Sequence, residues 1–260
     1  MNREAKSEVR DQIAFLICFI AVWYIVYQMQ VFPERSFPSP GQIGQSLIKG
    51  FAENDLLTYT TYSLSLIVKG LAIGIGLAFV FSGLAVVSRH FHAVYNLIVS
   101  ICDLLPGVAL LPLAIIWFGI GELTIIFIVV HSILWPMSRS IMDGFKSIPN
   151  LYIEAGKNIG LIGVRLVTGV YVPAAFSSIV SGMRVGWARA WRGLISVEMI
   201  FGTTGSGAGI GWYIFMRRVN LDSAGVFASL IVIIVIGVVI EYVGFRTLER
   251  HTVRKWGMIR

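Results

Sequence analysis

Long apolar segments alternate with short polar ones along almost the whole chain. An α-helix needs about 20 mainly apolar residues to cross the hydrocarbon core of a bilayer, so each of six segments is long enough to span it once. The predicted spans are residues 13–29, 64–87, 94–118, 123–142, 166–194 and 224–245. The pattern therefore predicts an all-α membrane protein with six transmembrane helices, forming a single domain over residues 1–260.

Two further segments of the chain contain local structural signals, one in a connection and one inside a span. After the proline-rich break at residues 37–41, Ile43, Leu47 and Phe51 recur at a spacing of four. This spacing is typical of a short amphipathic helix on the outer surface, although a plain connector is an equal alternative. Inside the third span, Pro106 and Pro112 predict a kinked backbone, because proline lacks the N–H group that a regular helix needs.

A polar, basic segment at residues 147–173 separates the fourth span from the fifth. Pro149 is suited to the first turn of a helix, and Gly160 can adopt a positive φ without a Cβ clash. The segment predicts a short helix, a tight glycine turn and a second short helix. We expect it to form a compact elbow in the cytoplasm.

The composition agrees with a membrane location. Hydrophobic residues make up 56% of the chain and charged residues only 13%, whereas soluble domains contain about 25% charged residues. Cys18 and Cys102 lie far apart in apolar segments, which predicts two small core residues and no disulfide. The basic N-terminus is followed by no small-residue cleavage site, so we expect the first span to be retained.

The basic residues indicate the orientation in the membrane. With the N-terminus inside, thirteen lysines and arginines fall in cytoplasmic segments and four in outer segments, as the positive-inside rule requires. This predicts a cytoplasmic segment at residues 1–12, a cytoplasmic elbow at 147–165 and a cytoplasmic tail at 246–260. The same asymmetry accounts for much of the net charge of +7 without a nucleic-acid partner.

Residues of the elbow resemble the EAA loop of ABC-importer permeases. The family pattern is Glu-Ala-Ala, three residues, Gly, nine residues and Ile-x-Leu-Pro. This chain keeps the spacing and differs only by Gly156 for Ala, Val170 for Ile and Val172 for Leu. The positions that match or replace the pattern are Glu154, Ala155, Gly156, Gly160, Val170, Val172 and Pro173.

Further motifs resemble the nitrate, sulfonate and taurine (NitT/TauT) class of these permeases. They extend from residue 35 to residue 257 and in combination are specific for the class, although none identifies the substrate. The motifs are Phe37-Pro38-Ser39-Pro40, Leu111-Pro112, Trp117 to Glu122, Gly182-Met183-Arg184-Val185-Gly186, Glu198-Met199 and Val253-Arg254-Lys255-Trp256-Gly257.

The resemblance implies a type I ABC importer permease fold with a cytoplasmic EAA coupling helix, in the inner membrane of a bacterial cell. It implies a homodimer of permeases, two ATPase subunits that contact Glu154, Ala155, Gly156 and Gly160, and an extracytoplasmic substrate-binding protein. The chain contains no Walker A loop and has no room for a nucleotide-binding domain. We therefore expect no catalytic residue and no cofactor in this chain, with ATP and Mg²⁺ held by the partner ATPase.

Charged residues in the predicted spans are the candidates for substrate contact, because an ionisable group in a membrane is costly unless it is paired or hydrated. We expect Arg189 and Arg192 to line the pathway and attract an anionic substrate, with Asp103, Glu198 or both as counter-ions. Structural ion pairs are an equal alternative. Arg184 matches a family motif, which favours an architectural role; the candidate pathway residues are Arg189, Arg192, Arg184, Asp103, Glu198 and Ser181.

Other chemistries have weaker support. His90 and His92 have no third ligand of a metal-binding type nearby, and the glycine-rich residues 202–211 lack the lysine of a phosphate-binding loop. We expect His131 to be a hydrogen-bonded packing residue. A membrane enzyme using His131 or Glu198 is disfavoured, because no nucleophile–base pair accompanies them. The remaining alternative is a secondary transporter or channel driven by an ion gradient, with Asp103 and the arginines as a relay.

Overall fold

The computed structural model describes residues 3–53, 55–202 and 207–252, apart from the side chains of residues 3–6, 8, 9, 250 and 251. Within these ranges the chain is helical. A 3₁₀ turn covers Gly107–Leu110, and π-helical segments cover Val167–Tyr171 and Ile240–Phe245. The α-helices are α1 (Arg3–Gln28), α2 (Pro40–Glu53), α3 (Leu56–Val87), α4 (Arg89–Cys102), α5 (Leu111–Phe118), α6 (Glu122–Lys146), α7 (Asn150–Asn158), α8 (Gly163–Leu166), α9 (Val172–Ala174), α10 (Phe176–Phe201), α11 (Ile210–Val219), α12 (Ser223–Val239) and α13 (Arg246–His251).

Four continuous helical stretches in the described ranges are long and apolar enough to cross a bilayer: Arg10–Gln28, Leu56–Val87, Glu122–Lys146 and Ser223–Glu249. Two bent pairs of helices bring the number to six, if each pair counts as one span. One pair is α4 with the segment Gly107–Phe118, at 92°, and the other is Gly163–Ala174 with α10, at 77°. The predicted number of spans agrees with this arrangement.

The two bent spans differ in how well they were predicted. The kink expected in the third span is confirmed and is a full break, because residues 103–106, which include Pro106, are not helical. The bend in the fifth span was not predicted: the chain bends at Ala175, just after Pro173 and the π-helical turn. Proline removes a backbone donor, which favours such a bend. The second span is also longer than expected, since α3 begins at Leu56.

Helix α6 is the centre of the packed core, with α3 and α10 against it. Glycines make the approach close: a Cβ atom on Gly70 or Gly74 of α3 would overlap Val129 or Ile133 of α6. A Cβ atom on Gly186 of α10 would also overlap Ile133. Small residues four positions apart, such as Gly70 and Gly74, are typical of helices that pack closely in membranes.

The elbow has the predicted local structure. Helix α7 follows Pro149, Gly160 has a φ of +84°, and the short helix α8 comes next. A Cβ atom on Gly156 would lie 2.7 Å from Val170 Cγ2 and 2.9 Å from Leu166 Cδ1. Glycine in place of the family's alanine thus lets α7 pack directly on the segment that follows it.

Helix α2 confirms the helical alternative for residues 42–51. Its start is capped by Ser39 and Gln42, because Ser39 N donates to Gln42 Oε1 at 2.8 Å and Gln42 N donates to Ser39 Oγ at 3.2 Å. This reciprocal pair satisfies two backbone donors that a helix start leaves free. The tail motif at residues 253–257 and the glycine-rich residues 203–206 lie outside the described residues.

Candidate functional site

A cavity of about 340 Å³ lies where the third span is broken. Three parts of the chain line it: the broken segment at residues 102–108, one face of α6 at residues 131–136 and one face of α10 at residues 189–196. The backbone leaves the helix at residues 103–106, beside α6 and α10. The break therefore creates the space between the packed spans.

Asp103 connects all three walls of the cavity. Its Oδ1 lies 2.5 Å from Arg189 Nη1 on α10, and its Oδ2 lies 3.3 Å from Arg139 Nε on α6. The side chain of Asp103 is 14% exposed, against 43% for Arg189 and 45% for Arg139. The predicted pairing of Asp103 with an arginine of the fifth span is confirmed, and the contact of these groups with substrate stays a prediction.

Arg192 also lines the cavity, one helical turn after Arg189. Its Nε donates a hydrogen bond to the carbonyl oxygen of Ala188 at 2.9 Å. In the part of the chain that the structure describes, no carboxylate forms an ion pair with Arg192. Among the described residues, the cavity lining thus contains two arginines and one carboxylate. The carboxylate also pairs with Arg139, which is not part of the lining.

Glu198 lies in a different place, so of the two candidate counter-ions only Asp103 pairs with an arginine of the cavity among the described residues. It is 1% exposed, and Ser63 Oγ contacts its two carboxyl oxygens at 2.7 and 2.8 Å. The backbone N–H of Gly211 donates to Glu198 Oε2 at 3.0 Å, and the N–H of Ile210 donates to Ser63 Oγ at 2.9 Å. We call Glu198, Ser63 and these two N–H groups the Glu198 clamp.

The glycines beside the Glu198 clamp explain its close fit. A Cβ atom on Gly209 would overlap the carboxyl group of Glu198, and one on Gly211 would overlap the carbonyl oxygen of Ile195. These two glycines let the start of α11 reach the buried carboxyl group. The clamp therefore ties the end of the glycine-rich segment to α3 and α10, and it is a structural cluster away from the cavity lining.

Neither Arg184 nor Ser181 reaches the cavity. Arg184 Nε lies 2.9 Å from Glu241 Oε1, and Arg184 Nη2 lies 2.8 Å from Glu249 Oε1. Its guanidinium group also stands over the ring of Phe245 at 5.6 Å. Arg184 thus holds α10 to the end of the last span, an architectural role, while Ser181 is exposed about three helical turns before Arg192 on α10.

Two residues of the cavity lining were not predicted as part of a binding site. His131 is buried as expected, yet neither of its ring nitrogens has a hydrogen-bond partner among the described residues, so the predicted hydrogen bond is wrong. Trp135 Nε1 is likewise buried without a partner. Both residues line the cavity. The unusual histidine in an apolar helix was a usable signal for this site, but Trp135 had no signal of its own.

The cysteines differ from expectation in their burial. Cys18 is exposed on α1, and Cys102 is half-buried at the cavity; both are free thiols. The described residues contain no group of three or more His, Cys, Asp or Glu side chains placed to hold a metal ion. The charged cavity is therefore the main candidate for binding chemistry.

Comparison with known proteins identifies the family. Residues 57–250 match the family described as the inner membrane component of binding-protein-dependent transport systems. The taurine transport system permease protein of Escherichia coli is 28% identical over 94% of this chain and 89% of its own length. A putative ABC transporter permease of Methanocaldococcus jannaschii is 31% identical over 75% of this chain and 71% of its own length.

A third relative widens the range of cargo among these proteins. The formylaminopyrimidine transport permease protein of Halalkalibacterium halodurans is 27% identical over 91% of this chain and 90% of its own length. Family membership supports an ABC importer over the alternative of an ion-driven secondary transporter. The chain belongs to the family of binding-protein-dependent transport system inner membrane components, and it is a multi-pass permease subunit of an ABC importer of the nitrate, sulfonate and taurine class.

Proposed function

We propose that two copies of this chain form the translocation pathway for a small anionic solute. An extracytoplasmic binding protein delivers the solute, and two ATPase subunits drive alternating access. The observation that carries the proposal is the cavity at the broken third span, where Arg189 and Arg192 face a single carboxylate. The solute would be a sulfonate, nitrate, a carboxylate or a related organic anion.

The charge balance of the cavity favours an anion. Asp103 is shared between Arg189 and Arg139, and no carboxylate of the described residues pairs with Arg192 in the lining. A cation placed within the membrane-spanning part of a protein is costly and is typical of a substrate or ion pathway. Guanidinium groups also bind planar or tetrahedral oxoanions through paired N–H donors. An entering anion would therefore be attracted to Arg192 first and to Arg189 as it replaces Asp103.

The names of the relatives alone do not identify the solute that this chain transports. One relative is named for taurine, which carries a sulfonate, and another for formylaminopyrimidine, which does not. The arginines of this chain support the first kind of cargo. Ser181, Arg184 and Glu198 lie outside the cavity lining, so we leave them out of the proposed pathway.

Helix α7 is the proposed contact with the ATPase subunits. Glu154 and Ala155 are exposed on it, and the neighbouring Leu151 and Ile159 are 72% and 77% exposed. Large apolar side chains beside a charged residue are typical of a protein–protein interface. Gly156 and Gly160 would fix the shape of this elbow. ATP and Mg²⁺ would be bound by the ATPase, with both termini and residues 147–165 in the cytoplasm.

Transport in proteoliposomes tests the pathway. The permease is reconstituted with its ATPase and binding protein, and uptake of taurine, ethanesulfonate, acetate and formylaminopyrimidine is measured. We expect ATP-dependent uptake of an anion by the wild type and at least a tenfold reduction in R189Q and R192Q. R10Q, which changes an exposed arginine at the start of α1, serves as the matched control. Unchanged uptake and unchanged substrate-stimulated ATPase activity in the double variant R189Q/R192Q would contradict the proposal.

Coupling is tested separately with E154A. We expect this variant to keep its solute binding but to lose most of the substrate-stimulated ATPase activity, because the exposed carboxylate would no longer contact the ATPase. E53A, at the exposed end of α2, is the control. Full stimulation in E154A would show that the ATPase binds elsewhere.

A further inference from the structure

Two aromatic residues of α6 present unused hydrogen-bonding groups at the cavity. His131 is 8% exposed, yet both of its ring nitrogens lack a partner within the described residues. The indole nitrogen of Trp135, one turn further along, is also buried without a partner there. Buried polar groups in folded proteins are almost always hydrogen-bonded, so three unpartnered nitrogens beside one cavity need an explanation.

The geometry keeps these groups together at the cavity wall. The rings of His131 and Trp135 meet edge to face, with centroids 5.8 Å apart and an interplanar angle of 73°. Gly107, on the broken segment, passes close by: a Cβ atom there would lie 2.8 Å from Ser132 Oγ and 3.6 Å from His131 Nδ1. A larger residue at this position would crowd the histidine. The ring nitrogens are closed to solvent in this arrangement, so their contact with a ligand requires the rings to turn toward the cavity.

We propose that His131 and Trp135 form the neutral half of an oxoanion-binding subsite in this cavity, a proposal that rests on the proposed function. One imidazole N–H and the indole N–H donate hydrogen bonds to oxygen atoms of the anion. Arg189 and Arg192, on the facing wall of α10, neutralise its charge. Donors from two helices then surround the head group, which selects an oxoanion over a neutral solute of the same shape.

Direct binding tests the subsite without transport. The purified complex of the permease with its ATPase is titrated calorimetrically with ethanesulfonate, acetate and nitrate, and with dimethyl sulfone as a neutral isostere. H131F and W135F each remove an N–H donor and keep an aromatic ring. Because a hydrogen bond to a charged group stabilises a complex substantially, we expect each variant to weaken oxoanion binding about tenfold. H131Q keeps a donor and is expected to lose less than threefold.

Matched controls separate donor loss from general damage. H92F and W117F change an exposed histidine on α4 and a 56% exposed tryptophan on α5, and we expect both to bind as the wild type does. The melting temperature of every complex is recorded beside its dissociation constant. If H131F fails to fold, W135F and H131Q still test the subsite, because a separate change in oxoanion affinity is expected for each.

The outcomes distinguish this proposal from the function on which it rests. Unchanged oxoanion affinity in H131F and W135F, together with weakened binding in R192Q, would overturn the subsite and leave the anionic pathway intact. If oxoanion affinity is unchanged in R189Q and R192Q as well as in H131F and W135F, both the subsite and the anionic pathway are overturned. Binding of dimethyl sulfone as tightly as ethanesulfonate, or no binding of any of the three oxoanions by the wild type, would also overturn both.

Discussion

Two polar clusters lie among the packed spans, and they differ in how far their hydrogen bonds are satisfied. In the Glu198 clamp, Ser63 and the N–H of Gly211 contact the carboxyl group, and Ser63 in turn accepts from Ile210. In the cavity, His131 and Trp135 have nitrogens without partners within the described residues. Arg192 there forms no ion pair with any residue that the structure describes.

The difference separates a structural cluster from a binding cluster. A fully satisfied buried network holds elements in one arrangement, because breaking any bond leaves a costly unpaired group. An unsatisfied cluster contributes little to stability and keeps its donors for a ligand. Acidic residues that look alike in the sequence therefore have unlike roles: Glu198 joins the start of α11 to the core, and Asp103 balances charge beside a cavity.

The largest effect on stability is expected for E198A. Removing the carboxyl group leaves Ser63 and the Gly211 N–H without their acceptor and opens a cavity in the core. We expect the free energy of unfolding to fall by about 3 kcal/mol. Unfolding in detergent, followed by tryptophan fluorescence, measures the loss against the exposed control E53A. Equal free energies of unfolding for E198A and E53A would show that the Glu198 clamp does not stabilise the fold.

A smaller loss is expected for S63A. The hydroxyl group donates to Glu198 and accepts from Ile210 N at 2.9 Å, so alanine leaves two buried groups with fewer partners. We expect a loss of about 2 kcal/mol in the free energy of unfolding. S65A, two residues on in the same helix, removes an exposed hydroxyl that bonds only locally, to the Tyr62 carbonyl oxygen. A difference of less than about 0.5 kcal/mol between S63A and S65A would contradict the comparison.

D103N removes the negative charge of the carboxylate that lines the cavity. Its two arginine partners are each more than 40% exposed, and ion pairs of exposed groups contribute less than about 1 kcal/mol. Removing the competing carboxylate frees Arg189, so we expect ethanesulfonate to bind about three times more tightly. D222N, which alters the Asp222–Arg217 pair at 3.1 Å, is the control for stability. Weaker anion binding in D103N would contradict the interpretation that Asp103 competes with the anion for Arg189.

The smallest effect on stability is expected for H131F. Phenylalanine keeps an aromatic ring against Trp135 and removes two buried nitrogens that have no partner within the described residues. Replacing unsatisfied polar groups by apolar ones of similar shape is nearly neutral or stabilising, so the free energy of unfolding should change by less than about 1 kcal/mol. A loss comparable with that of E198A would mean that His131 belongs to the core, as Glu198 does.

Much of the fold could be predicted from local patterns in the chain. The spans follow from runs of apolar residues, and the elbow follows from Pro149 and Gly160, whose conformational preferences are properties of single residues. The approach of α3 to α6 follows from Gly70 and Gly74. The sharp bend at Ala175 was missed, because a proline in a membrane helix can be accommodated with or without a bend.

Local sequence patterns were enough to predict the membrane location, the number of spans, the elbow and the set of charged residues from which a site could be built. Which of these residues meet depends on how the helices pack. Asp103 and Arg189 are 86 residues apart, and Ser63 and Glu198 are 135 apart. Local patterns carry no information over such separations, since helix packing brings the partners together and leaves His131 and Trp135 beside a cavity.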